Sequence, residues 1–275
     1  MQSKLFQIIF LSIVMSSSIF AQVEIQSSNP YGFKIVKSVE DTPVKSQGRT
    51  GTCWSFATSS FLESEAIRMG KEPQDFSEMY VVRNVYDDKA RNYVLRHGKA
   101  NFGQGSLAHD LIRVIGEKGM VPESVYSGKL DKSKIHNHSE MEAVLKGMLD
   151  GVLKQKRLSN RWMKAFDKVI DVYMGEIPKQ FTYKGKKYTA KSYAKAMGLD
   201  ADNYVNITSF THHPFYKKFV LEIPDNYSNG SFTNLPIEDV VAIIDNAIEK
   251  GYSVAWDGDV SEAGFSHQNG LAIVP

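Results

Sequence analysis

The chain contains a single cysteine, Cys53, within the stretch QGRTGTCWSFA from Gln47 to Ala57. A thiolate attacks carbonyls and a thiol does not. The start of a helix favours the anion, because unpaired backbone N–H groups and the helix dipole stabilise negative charge there. The run TCWSFATSSFLESEAIRMG predicts a helix that is capped by Thr52, opens at Cys53 and stops at Gly70. Trp54, Ala57, Phe61 and Leu62 form its expected apolar stripe. Gly48 and Gly51 let the preceding loop turn tightly and leave room for a substrate chain. Gln47 lies six residues before Cys53. Its amide can donate to the oxyanion formed by thiolate attack, together with the backbone N–H of Cys53. The competing reading is a small buried hydrophobe, the commonest fate of a free cysteine.

The pattern Q-G-x-x-G-x-C-W-S-F-A, from Gln47 to Ala57, resembles the active-site segment of papain-like cysteine peptidases. That resemblance implies that Cys53 is the nucleophile and that Gln47 lines the oxyanion hole. Thr50 stands where plant and lysosomal members carry a second, disulfide-forming cysteine. FSEMY (76–80) is similar to the family's helix start, and FGQGS (102–106) is similar to its glycine turn, with Ser106 in place of a second glycine. The resemblance implies that Gly51, Trp54, Gly103, Gly105 and Ser106 contact a peptide substrate. The lysine-rich insertion, with GEIPKQFTYKGKKYTAKSYAK, THHPFY and SVAWDGDVSE, looks like the bleomycin hydrolase (aminopeptidase C) branch. The resemblance as a whole runs from about Val39 to the last residue. It implies an aminopeptidase acting on peptide substrates without cofactor or metal, and homo-oligomers as an expectation of the branch.

A papain-type thiol needs a histidine to take its proton and an asparagine to orient that histidine. Simple members place the histidine ~130–150 residues after the cysteine, and residues 183–203 contain none. His97 and His109 fall on expected helices, His136 and His138 in a polar loop before a cap, and His212 and His213 in THHPFY. The paired His212 and His213 could suggest a metal, but no third ligand is near in spacing. His267 is the one late candidate, and no Asn-Ser-Trp segment follows it. In the resembled branch SVAWDGDVSE comes well before the catalytic histidine, so the base and its asparagine are expected beyond Pro275. A catalytically incomplete, peptide-binding homologue is the alternative function.

The elements that must hold these residues are legible as periodic segments. Helices are expected from Ser77 to Gly98, up to Gly119, from a Ser139–Glu142 capping box onward, around Trp162–Tyr173, and from Pro236 to Gly251. FTYKGKKYT predicts a hairpin around Lys184-Gly185, and YSVAW (252–256) predicts a buried strand. The first residues carry Lys4, an apolar run from Leu5 to Met15 and Ala21 before an expected cut, the layout of a secretory signal peptide. The run is shorter than the ~20 residues of a spanning helix, so the expectation is export to the periplasm or medium with no membrane anchor afterwards. A net charge of +2 gives no global field towards nucleic acid. The lysines of 129–200 read as a solvated face.

The expected fold class is α+β and papain-like. It comprises a signal peptide (1–21), a helical domain carrying the nucleophile (22–128), a lysine-rich helical insertion (129–235) and the start of an incomplete β-barrel domain (236–275).

Overall fold

The structure is a computed structural model that describes residues 32, 34–130, 135–258, 260–261 and 264–273. The chain divides into two units, 1–36 and 37–275. The expected signal peptide lies outside the described residues. The second unit is α+β, with seven α-helices and three small sheets among the described residues. No described helix is long and apolar enough to cross a membrane.

Helices α1 (Cys53–Arg68), α2 (Glu78–Leu95) and α3 (Ala108–Lys118) pack on one another. The Ser77 hydroxyl caps α2 by accepting the Tyr80 N–H at 3.0 Å, and it donates to the Tyr126 carbonyl. Helix α1 departs from the expected apolar stripe. Ala57 is exposed, whereas Ser55, Thr58, Ser59, Glu63, Ser64 and Glu65 are buried. Buried polar groups persist where they are paired, and of these only the Ser59 hydroxyl has no hydrogen-bond partner. Ser55 donates to the Glu78 carbonyl at 3.0 Å, and Thr58 donates to the Trp54 carbonyl at 2.7 Å. The fully buried Glu63 carboxylate accepts the Phe76 N–H and the Lys45 ammonium, each at 2.8 Å, and the Thr42 hydroxyl. This helix is enclosed by hydrogen bonds as much as by apolar contact, which a stripe search does not register.

Helices α4 (Ser139–Leu153) and α5 (Arg161–Met174) pack on α2 and on each other. The expected capping box at Ser139 is not formed. His138 holds the cap position without a side-chain bond, the Ser139 N–H bonds Asn137 Oδ1 at 3.1 Å, and Glu142 is drawn to Gln104. Strands β1 (Phe181–Tyr183) and β2 (Lys186–Tyr188) form the expected hairpin. Lys184 and Gly185, at φ of 47° and 75°, supply the two left-handed residues of its turn. Helix α6 (Ala190–Met197) opens with a Thr189–Ser192 capping box and docks on α3.

Strands β3 (Ile207–Thr208), β4 (Lys217–Val220) and β5 (Ser231–Asn234) form a mixed sheet ordered β3-β5-β4. The fully buried Asn234 ties it to the THHPFY segment. Its amide donates to the Phe210 and His213 carbonyls at 2.9 Å each, and its oxygen accepts the Phe210 N–H at 2.8 Å. His213 stacks on Phe219 with ring centroids 4.0 Å apart, so the His-His pair is engaged in aromatic packing. Helix α7 (Ile237–Glu249) follows, then the two-residue strands β6 (Phe265–Ser266) and β7 (Leu271–Ala272). Residues 252–256 correct the expectation of a buried strand. Among the described residues they pair with no strand, alternate between exposed and half-buried, and leave Trp256 70% exposed.

One apolar core runs across the 128/129 boundary. Met79, Tyr86 and Leu111 are buried in the same cluster as Met141, Leu145, Leu149, Phe166 and Ile170. Phe102 meets Phe166 edge to face at 6.2 Å. Deleting a fully buried phenyl side chain costs about 3–5 kcal/mol. Phe166→Ala is therefore expected to shift denaturant unfolding by about that amount while leaving a single transition. An unshifted second transition, monitored by the α1–α3 region, would mean that the insertion folds separately.

Candidate active site

The loop before α1 is closed on itself. The Gln47 amide donates to the Thr50 carbonyl at 2.5 Å, and the Thr50 hydroxyl donates to the Gln47 carbonyl at 2.9 Å. Gly48 sits at φ +67°, and a Cβ there would lie 2.6 Å from the His136 carbonyl oxygen, so only glycine fits. The Arg49 N–H donates to that carbonyl at 2.7 Å, and the His138 N–H reaches the Arg49 carbonyl at 3.4 Å. The loop thus rests on residues 136–138. Thr52 holds the cap position of α1, but its hydroxyl pairs with Thr50 at 2.6 Å and makes no cap bond. Cys53 is exposed as the first residue of α1. Its N–H belongs to the first turn, where the helix itself supplies no carbonyl.

Gln104 joins this loop to the glycine turn. Its Oε1 accepts the Gly51 N–H at 2.8 Å, and its main-chain oxygen accepts the Trp54 indole N–H at 2.9 Å. Its amide donates to Glu142 on α4 at 2.5 Å. Gly51 is exposed, and Gly103 and Gly105 are half-buried. Trp54 and Ser106 are only 5% and 3% exposed. The Ser106 hydroxyl donates to Asp110 at 2.6 Å inside the fold, so its side chain is turned away from the surface. The Asp225 carboxylate lies over Gly105, where a Cβ would meet it at 2.4 Å, and it accepts the Asn101 amide at 3.2 Å. Beneath the turn, the Lys89 ammonium donates to the carbonyls of Gly103, at 2.9 Å, and Gly105.

Sequence reasoning did not find Gln104, Lys89, Glu142, Asp225 or the burial of His136 and His138. A signal existed for Lys89. It falls with Val82, Tyr86 and Tyr93 on the buried face of α2, where a charge demands a partner. Gln104 carried only its place between two glycines.

No described histidine is hydrogen-bonded to Cys53. His267 is exposed on a short turn at 267–269, and His97 is exposed beyond the end of α2. His109 Nε2 is within 2.9 Å of the Ser228 hydroxyl, and burial lowers its pKa. His136 and His138 are buried, contrary to a polar loop, with Phe56 and Tyr86 against their rings at 6.2 Å each. Burial lowers both from an ordinary 6.5 to about 4.

No family model matches the chain. It is 38% identical to pro-cathepsin H of Bos taurus over 86 residues, which are 31% of this chain and 23% of that protein. Its fold is similar to that of PepW from Lactobacillus rhamnosis HN001, with a TM-score of 0.64 at 16% identity over 80% of this chain and 59% of that one. The chain therefore spans only part of the length of either relative. The structural likeness shows the mixed α+β fold.

Histidines kept neutral by burial stabilise the fold fully above the unfolded value of 6.5, and that stability is lost as pH falls towards 4. Asp87 and Glu123 are raised by burial and act in the opposite direction. Comparing proteins isolates the histidine effect. The fall in melting temperature between pH 7 and 4.5 is expected to be smaller in His138→Gln than in the unaltered protein. Equal falls would remove His138 from the account.

Proposed function

We propose that the chain carries the nucleophile half of an exported cysteine peptidase, an aminopeptidase acting on peptide substrates. The observation that carries this reading is the exposed Cys53 opening α1, at the head of a loop that Gln104 clips to the glycine turn. The Cys53 sulfur would attack a peptide carbonyl, forming a thioester as the amine leaves with a proton. Water would then release the acid. The developing oxyanion would be met by the Cys53 N–H and by the Gln47 amide, which spends one of its two hydrogens on Thr50. A histidine takes and returns the proton in this chemistry. Gly51, Gly103 and Gly105 would line the path of the substrate main chain. The 38% identity to pro-cathepsin H over 86 residues supports the coarser part of this reading, a peptidase.

Cleavage of a set of unblocked and N-acetylated peptides tests the reading. Cys53→Ala is expected to abolish cleavage. Gln47→Ala is expected to lower kcat roughly 10²–10³-fold with little change in KM, the usual cost of one oxyanion donor. Cleavage of unblocked peptides alone supports exo-action. Peptide binding without turnover would favour the incomplete, peptide-binding homologue. Turnover that survives Cys53→Ala would end the thiol mechanism.

A further inference from the structure

Lys89 is 1% exposed, on the face of α2 that points into the protein. A buried ammonium is costly unless its three donors are used. Two of them go to the carbonyls of Gly103 and Gly105, which flank Gln104. The Tyr227 ring lies 5.1 Å from the nitrogen. The acidic groups that act on it are Asp110 from α3, Glu142 from α4 and Asp225 from the loop before β5. None of the three is hydrogen-bonded to it. Its charge is therefore committed to two main-chain carbonyls of one turn. That turn is the one Gln104 joins to the Cys53 loop.

We propose that Lys89 is a positioning residue for substrate binding: by drawing the Gly103 and Gly105 carbonyls inward, its ammonium fixes the outward face of the turn that receives a peptide main chain. The proposal rests on the peptidase reading of this cleft. Without the ammonium the two carbonyls lose their common anchor and the turn no longer holds one conformation. Gln104 would still reach Gly51, because its side chain bonds Gly51 and Glu142 and is not hydrogen-bonded to Lys89. The expected loss is therefore in affinity. Burial also lowers the Lys89 pKa to about 8, against the pull of the three carboxylates. The neutral amine is a weaker donor, so the anchor is expected to slacken as pH rises through 8.

The test uses the full chain carrying Cys53→Ala, with and without Lys89→Met, and a labelled peptide followed by fluorescence anisotropy. At pH 7 the added Lys89→Met is expected to weaken binding about tenfold or more, the scale of a lost charge-assisted hydrogen bond. At pH 9.5 the ratio of the two affinities is expected to fall towards one. The peptide's own amino group titrates equally in both measurements, so the ratio reports Lys89. Equal affinities at pH 7, or a ratio unchanged by pH, overturn the proposal. Failure of the Cys53→Ala protein to bind any peptide instead overturns the peptidase reading, and the Lys89 proposal with it. Should Lys89→Met not fold, the Cys53→Ala protein alone decides: its affinity for an N-acetylated peptide is expected to fall as pH rises from 7 to 9.5, and an affinity unchanged over that range overturns the proposal.

Discussion

Gln104 accepts the Gly51 N–H with its side-chain oxygen and the Trp54 indole N–H with its main-chain oxygen. These two bonds fix the beginning of α1 against the glycine turn from both sides of Cys53. Without them, the exposed thiol would sit on a helix end with nothing opposite it. The third Gln104 bond, to Glu142, extends the tie into the lysine-rich region. The same loop is held from behind by the main chain at 136–138. Residues far beyond the first three helices therefore help to set the position of the only cysteine.

That dependence explains why one core runs across the 128/129 boundary. Helix α4 must lie close enough for Glu142 to reach Gln104, and it gets there by burying Met141, Leu145 and Leu149 in the core that holds Tyr86 and Phe102. Helix α5 closes the same core with Phe166 and Ile170. Burial of apolar area here, at roughly 25 cal/mol per Å², holds polar groups in the geometry they need at the surface. Buried charges follow the same logic. Glu63 is fully buried because Lys45, Thr42 and the Phe76 N–H meet it.

Much of this was legible in the sequence. The helix beginning at Cys53, its stop before Gly70, the hairpin at Lys184-Gly185 and the helix ending before Gly251 carry local signals of capping, periodicity and turn chemistry. What was not legible depends on contacts between distant residues. The polar buried face of α1 makes sense only once Glu78 and Lys45 are beside it. Ser139 and Glu142 have the spacing of a capping box, but Glu142 finds a partner in Gln104. YSVAW has the composition of a strand, and among the described residues no strand pairs with it. His136 looked polar because its neighbours in sequence are, whereas its neighbours in space are Phe56 and the Gly48 backbone.

Thr50 occupies a position where related sequences are expected to carry half of a covalent staple, and the chain has no second cysteine with which to form one. The two walls around Cys53 are joined by Gln104 through hydrogen bonds. An arrangement of that kind has no redox state. A reductant cannot open it, and an oxidant is not needed to complete it. Oxidative folding machinery has no bond to make within this chain. The one thiol of this sequence has no second cysteine within it to pair with, and its reactivity is decoupled from the bonds that secure the fold.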